Sequence, residues 1–282
     1  MIMVKIISAG RKLFEMNNVL KIFIPIIFLV LSWSCESYRR SAESKGSANY
    51  RWETFNKKYG GCDSLDQNCL RVFIEYPLFE SDKANRHDSL NSFITKIILH
   101  PVFAGQTVRI PEDIFEQMLM EFRKFQGEFP QYPAEWELFR KVEILFNRHQ
   151  IVSINFNEYM YTGGAHPGYT RLLRSFDLKT EKILSLSDLL FTEAQDSFLL
   201  SAESKFRQQK GLPKEHDLSL AGYWFPGNRF QLNDNFAFTE KGIVLYYNPY
   251  EIAPYAMGAT ELLLPIDEIQ NFLRDKSLIK SE

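Results

Sequence analysis

Cysteine is scarce in this chain of 282 residues, with three in all. Two of them, Cys62 and Cys69, lack the further ligands that a four-coordinate zinc site would need, the nearest histidine in sequence being His87. Cationic residues never run longer than a pair, and the formal charge is only −2. The electrostatic footprint of a nucleic-acid binder is therefore missing. No GxSxG elbow, HExxH helix, phosphate-binding loop or CxxC pair occurs. Their absence removes the common local signatures of hydrolases, zinc proteases, nucleotide enzymes and thiol oxidoreductases. The apolar run Ile22 to Leu31 falls short of the about 20 residues that a spanning helix needs.

What is present is enough apolar matter for a core. At 45% apolar and 15% aromatic content, the chain suits one large or two small folded domains. Its first 34 residues read as a signal peptide: Lys21 precedes the apolar run, and Ser32 and Ser34 flank Trp33 ahead of Cys35. Leu31-Ser32-Trp33-Ser34-Cys35 resembles a loose bacterial lipobox in which Cys35 becomes the lipidated first residue, although Trp33 stands where a small residue is usual. Ordinary cleavage that leaves Cys35 unmodified is the alternative. Met1, Met3 and Met16 are all credible starts. Removing residues 1–34 takes away Lys5, Arg11, Lys12 and Lys21 together with Glu15, so the mature charge becomes −5.

Residues 35–50, polar and Ser-rich, suit a lipid-anchored tether. Cys62 and Cys69, in an exported chain, read most simply as a local disulfide, for which the loop-entropy account gives roughly 2 to 3 kcal/mol. "LRVFIEYPLF" from Leu70 predicts a strand, and apolar spacing from Leu90 to Ile98 predicts a helix that stops before Pro101. A second helix should open at Pro111 and carry the stripe Ile114, Phe115, Met118, Leu119, Phe122, Phe125 as far as Gly127. "WELFRKVEILFN" and "QIVSINFNEYMYT" predict a hairpin. Further on, a strand at 169–178, a helix N-cap at Ser187, a helix from Thr192 to Lys210 closed by Gly211, a hairpin turning at Lys241-Gly242, and a terminal helix near Asp267 are expected. The class is α+β, with antiparallel sheets and packed helices in two consecutive halves, 51–162 and 163–282.

Two stretches stand out. In "YTGGAHPG", His166 lies among Gly163, Gly164 and Gly168 with Pro167 after it, following Tyr161. A catalytic His needs a nucleophile or an orienting carboxylate, and neither is local, so a structural corner or ligand-contact loop is the better reading than a general base. "YYNPYEIAPYAMG" presents Tyr250, Pro254 and Tyr255 in a rigid aromatic loop that suits either surface recognition or coverage of the core edge.

"YTGGAHP", "FDLKTEKILSLSDLL", "FAFTEKGIVLYYNPYEIAPYAMG" and "LLLPIDEI" together resemble the extracytoplasmic domain of unknown function shared by RsiV-type lysozyme-sensing anti-sigma factors and the N-terminal part of PdaC-type peptidoglycan deacetylases. Leu70 to Met160 is similar to the companion domain that precedes it there. The resemblance implies a bacterial envelope lipoprotein, extracytoplasmic and lipid-anchored to a membrane, with a ligand-binding module. It implies a lysozyme-like glycosidase or a cell-wall glycan as the ligand; from the residues themselves no cofactor, metal or nucleic acid is expected. The sigma-binding segment and the deacetylase domain with its metal-binding Asp and paired His are not seen in this sequence. The ligand-contact candidates are Tyr161, Gly163, Gly164, His166, Tyr250, Pro254 and Tyr255. The rivals are a small envelope hydrolase acting on cell-wall glycan through His166, and a passive structural lipoprotein.

Overall fold

The computed structural model describes residues 46–62, 68–81 and 87–279; the signal segment and Cys35 lie outside them. Strand β1 (Tyr50–Gly60) and β2 (Cys69–Phe79) form an antiparallel hairpin. Sequence reading missed β1, because its face toward solvent is polar and its other face only half-buried. The described residues just before it, 46–49, are held in place. Ala48 donates its N–H to Asn147 Oδ1 at 2.9 Å, and Asn147 Nδ2 donates to the Ala48 carbonyl at 2.8 Å.

Helices α1 (Asp88–Ile98) and α2 (Pro111–Glu128) follow where the apolar spacing placed them. Asp113 Oδ2 accepts the backbone N–H groups of Arg109 and Ile110, closing the start of α2. The chain then enters β3 (Glu135–Arg148), which pairs parallel with β2. Two intervening helices carry the chain back to the starting end of β2, so this one pair departs from the antiparallel expectation. Strands β4 (Ile151–Tyr161), β5 (Gly168–Asp177) and the short β6 (Lys182–Ile183) complete a six-stranded sheet in sequence order. The sheet thus runs straight across positions 162 and 163, with β4 and β5 paired from Ile151↔Asp177 to Met160↔Gly168.

After β6 the elements are short. α3 (Leu186–Leu189) is capped by Ser185, not Ser187, because Asp188 lies three residues on and accepts both the N–H and the hydroxyl of Ser185, at 2.8 and 2.6 Å. α4 (Gln195–Lys210) ends at Gly211, whose φ of 66° is the left-handed cap expected there. A second, antiparallel sheet holds β7 (Phe236–Thr239), β8 (Gly242–Tyr247) and β9 (Thr260–Pro265). α5 (Ile266–Ile269) is a single turn and not a longer terminal helix. Beyond it Phe272 accepts the N–H of Phe191, and Arg274 donates its N–H to Leu189, so the chain is drawn into an antiparallel bridge at Leu190↔Leu273.

Two cores result. One face of the six-stranded sheet carries Leu70, Val72, Ile74, Leu138, Val142, Ile154 and Phe156 against α1 and α2. The small sheet packs with α4 around Phe198, Phe206, Phe236, Phe238, Leu245 and Leu262, and it reaches Phe146 and Ile151 on the other face. Burial along that face of β4 falls from Ile151, Ser153 and Asn155, all buried, to Asn157, Tyr159 and Tyr161, all half-exposed. The small sheet covers only the first part. Among the described residues no helix is long and apolar enough to cross a membrane.

Candidate functional site

The join between the two sheets places the site. Most of the free edge of β5 is closed by asparagine side chains instead of a strand. Asn248 accepts the Arg171 N–H at 2.8 Å and donates to the Arg171 carbonyl at 3.0 Å; Asn235 accepts the Leu173 N–H at 2.6 Å and donates to the same carbonyl at 2.9 Å. Edge groups left open would invite pairing with another chain, and these side chains satisfy them. Ser175 continues the join, accepting the Phe238 N–H at 2.9 Å and meeting Ser153 Oγ at 2.8 Å. Asn248 thereby fixes the start of the 248–258 loop beside the turn that leads into β5.

That loop begins with a turn in which Glu251 N–H donates to the Asn248 carbonyl at 3.0 Å. Pro249 takes the second position and Tyr250 the third, with φ of 68°. Pro followed by positive φ is the type II pattern, whose third position favours Gly. A tyrosine there costs about 1 to 2 kcal/mol of backbone strain, and its ring is 59% exposed. Glu251 holds the turn, accepting the Asn248 N–H at 2.8 Å and Asn233 Nδ2 at 2.6 Å.

The glycine-rich turn comes to meet it. Gly163 and Gly164 have φ of 92° and 104°, conformations that L side chains rarely adopt, and Tyr161 spans the turn by donating its hydroxyl to the Gly164 carbonyl at 3.1 Å. His166 stacks on Tyr255 with ring centroids 4.2 Å apart and planes 16° from parallel. Tyr255 donates its hydroxyl to the Pro167 carbonyl at 3.4 Å, and Tyr250 lies 5.4 Å from Tyr255, ring to ring. Pro254 precedes Tyr255, exposed, at the entry to a short 3-10 turn. The structure therefore gathers His166, Tyr250, Pro254 and Tyr255 into one surface. Tyr161, Gly163 and Gly164 shape the turn behind it. Cys62 and Cys69 are elsewhere, between the β1 end and β2, with sulfur atoms 1.99 Å apart.

A third segment joins this surface that sequence reading did not select. Trp224 donates its backbone N–H to Ile252 O at 3.0 Å and its indole N–H to Glu251 O at 3.1 Å, leaving the ring 49% exposed. A Cβ at Gly222 would meet Met257 Sδ at 3.4 Å, so that side chain lies against the same segment. Leu220, four residues before Trp224, is 82% exposed. The signal in sequence was an aromatic residue and a leucine inside the Gly- and Pro-punctuated "LAGYWFPGN", with no apolar periodicity to send them into a core.

The chemistry is that of contact. His166 Nδ1 lies 3.3 Å from the Pro167 carbonyl, and one ring face is occupied by Tyr255. Among the described residues no carboxylate is hydrogen-bonded to it, and no group of three or more His, Cys, Asp or Glu is placed to hold a metal. Arg171, beneath the loop, is ion-paired with Glu261, donates to Asn155 at 2.8 Å, and lies over the Tyr246 ring at 4.8 Å. Burial, opposed by that cation, pushes the Tyr246 phenol up from its ordinary value.

Comparison with known proteins divides the chain at a similar place. Residues 64–169 match the family described as Deacetylase PdaC, and residues 187–267 match Protein of unknown function (DUF3298). The glycine-rich turn falls in the first segment and the Tyr250 loop in the second. A curated relative, the peptidoglycan-N-acetylmuramic acid deacetylase PdaC of Bacillus subtilis (strain 168), is 25% identical over 190 residues, covering 65% of this chain. The match spans 40% of that protein's length. A crystal structure of a DUF3298 family member from Bacteroides fragilis superposes with a TM-score of 0.60 at 19% identity, covering 83% of this chain and 98% of that one. A DUF3298 family protein from Pseudomonas aeruginosa PAO1 gives 0.55 at 21% identity, covering 84% and 99%. These likenesses concern the fold.

Proposed function

We propose that this chain, of the DUF3298/PdaC type, is a bacterial cell-envelope lipoprotein whose folded body is a binding module, docking a lysozyme-like glycosidase through the His166–Tyr255 loop face. One observation carries the reading: three segments far apart in sequence converge to expose His166, Tyr250, Tyr255, Met257 and Trp224 together. Tyr and Trp dominate interface hot spots because they offer large contact area at low entropic cost. Backbone strain at Tyr250 supports the same reading, since a strained non-glycine residue persists where its presentation is used. The expected tether and Cys35 would set this face free of a membrane surface.

The curated relative is named for chemistry on peptidoglycan, which supports an envelope setting for this chain. A charge of −5 on the portion after residue 34 would favour encounter with a basic glycosidase and weaken as salt screens it. The hydrolase reading through His166 is the less supported one, because among the described residues His166 is engaged by a ring and a carbonyl. The test is calorimetry of the purified chain with a basic lysozyme at low and at physiological salt. Saturable binding that falls with salt and weakens about 30-fold in Tyr255→Ala is expected; no heat at low salt would defeat the lysozyme assignment.

A further inference from the structure

The uncovered part of the six-stranded sheet carries a second surface, distinct from the loop face. Phe73, Phe139, Tyr159 and Tyr169 are directly opposite one another in the pairing of β2, β3, β4 and β5. Residues in register share a face of a sheet, so the four rings form one cross-strand row. Phe73 and Phe139 stack at 5.0 Å with planes 9° apart, and Tyr159 meets Tyr169 edge-on at 5.1 Å. Helices α1 and α2 cover the opposite face, and the small sheet stops short of this row. Phe139 is 37% and Tyr169 52% exposed.

Polar rows lie on both sides, two residues along each strand, about 7 Å away. On one side stand Arg71, Glu137 and Tyr161, with Arg71 bridging Glu137 at 2.7 Å and Glu135 at 3.2 Å. On the other, Lys141 bridges Glu75 at 3.2 Å and Glu143 at 3.6 Å, and Asn157 Nδ2 donates to Glu143 at 3.3 Å. Nearly every charge is therefore neutralised by a neighbour on the same face. Such a surface has little to offer an ionic partner. It is also poor ground for a second copy of the chain, because interface centres are depleted of charge and burying these pairs would cost their hydration. An apolar stripe between two hydrogen-bonding rows instead matches an uncharged ribbon whose flat faces are C–H and whose two edges are hydroxyl or amide.

We propose that this row is a binding platform for a linear, uncharged oligosaccharide, its pyranose C–H faces resting on Phe73, Phe139, Tyr159 and Tyr169 and its edge groups reaching the flanking polar rows. Four strands set the row at about 14 to 15 Å, which suits a short run of sugar units and not a single one. The proposal needs no protein partner, and its four rings share no residue with the His166–Tyr255 face, so either can fail without the other; Tyr161 alone borders both.

The probes are hexa-N-acetylchitohexaose and cellohexaose, titrated into the full chain and followed by calorimetry and by aromatic-proton saturation transfer in NMR. Binding of at least one hexasaccharide, with the monosaccharide at least tenfold weaker, is expected. A preference for the first would assign the edge contacts to acetamido groups, and equal binding would assign them to hydroxyls. Tyr169→Ser and Phe139→Ala should each weaken binding about three- to tenfold, the range of one aromatic contact. Tyr169 is half-exposed and its replacement should leave the fold intact, checked by circular dichroism. The proposal is overturned if neither hexasaccharide binds at millimolar concentration, if binding is unchanged in both variants, or if sedimentation shows a dimer that Tyr169→Ser dissolves.

Discussion

His166 and Tyr255 lie 89 positions apart in sequence, and their rings stack 4.2 Å apart and 16° from parallel, closing the glycine-rich turn onto the tyrosine loop. The imidazole is a spacer between two loops in this arrangement. It should act with Tyr255 as one unit. In a double-mutant cycle read as lysozyme affinity, His166→Ala and Tyr255→Ala should couple by about 0.5 to 1.5 kcal/mol, the value of a stacked pair. Additivity within experimental error would show that the loops bind independently or not at all.

Tyr250 occupies the glycine position of a type II turn. Tyr250→Gly should relieve the strain and raise stability by up to about 1 kcal/mol, seen as a higher urea midpoint, while costing at least about 2 kcal/mol of partner affinity. A lower midpoint with affinity unchanged would mean the ring serves the fold.

Arg140 and Glu158 face each other across β3 and β4, with Nε donating to Oε2 at 2.6 Å, and the arginine side chain is fully buried. Arg140 also donates to the carbonyls of Ile98 and His100, at 2.6 and 2.8 Å, holding the end of α1 to the sheet. Arg140→Met should cost about 3 to 5 kcal/mol by taking from a buried carboxylate its arginine partner, with His100 Nε2 left beside it at 3.1 Å. Burial by itself would push the Glu158 carboxyl up, but hydrogen bonding from His100 and the charge of Arg140 reverse this, and the net direction is down. A lowered folded value means that the contribution is complete above the ordinary carboxylate range and is lost as pH falls through the folded value. Urea midpoints measured from pH 7 to pH 3 should therefore fall more steeply in the native chain than in Glu158→Gln.

Cys62 and Cys69 are expected to be bridged in exported material, because they close a short loop between β1 and β2 in a compartment that favours disulfides. Mass measurement without reductant, after alkylation, should find neither thiol modified. Reduction should lower stability by roughly 2 to 3 kcal/mol. Two alkylated cysteines in native material would exclude the bridge.

Cys35 is expected to carry the lipid. Multiple acyl chains anchor firmly where a single one gives only marginal binding. Cys35→Ala should move the protein from the membrane fraction to the soluble one; unchanged detergent partitioning would remove this reading.

Sequence alone determined what depends on neighbours within a few residues. Pro111 opens α2, the apolar stripe from Ile114 to Phe122 buries one helix face and Gly211 takes the left-handed cap, because each answers to local backbone geometry. The β7–β8 hairpin was legible too, but it turns at Glu240-Lys241, one residue before the expected Lys241-Gly242, because Thr239 already pairs with Gly242. The helix cap at Ser185 shows the limit of that reading: two serines were available, and the position of Asp188 chose between them. Tertiary structure decided everything that rests on distant partners. The parallel pairing of β2 with β3 depends on where two helices return the chain, and the aromatic row depends on the resulting register of four strands. Trp224 joins the Tyr250 loop only because Glu251 and Ile252 carbonyls lie within hydrogen-bond reach. Arg140 is a charge inside an alternating strand, and nothing in its local pattern says whether it faces water or the α1 carbonyls that it binds. Periodicity reports which residues share a face, but the partner of that face is set by chain segments far away, and their approach is encoded in packing and not in spacing.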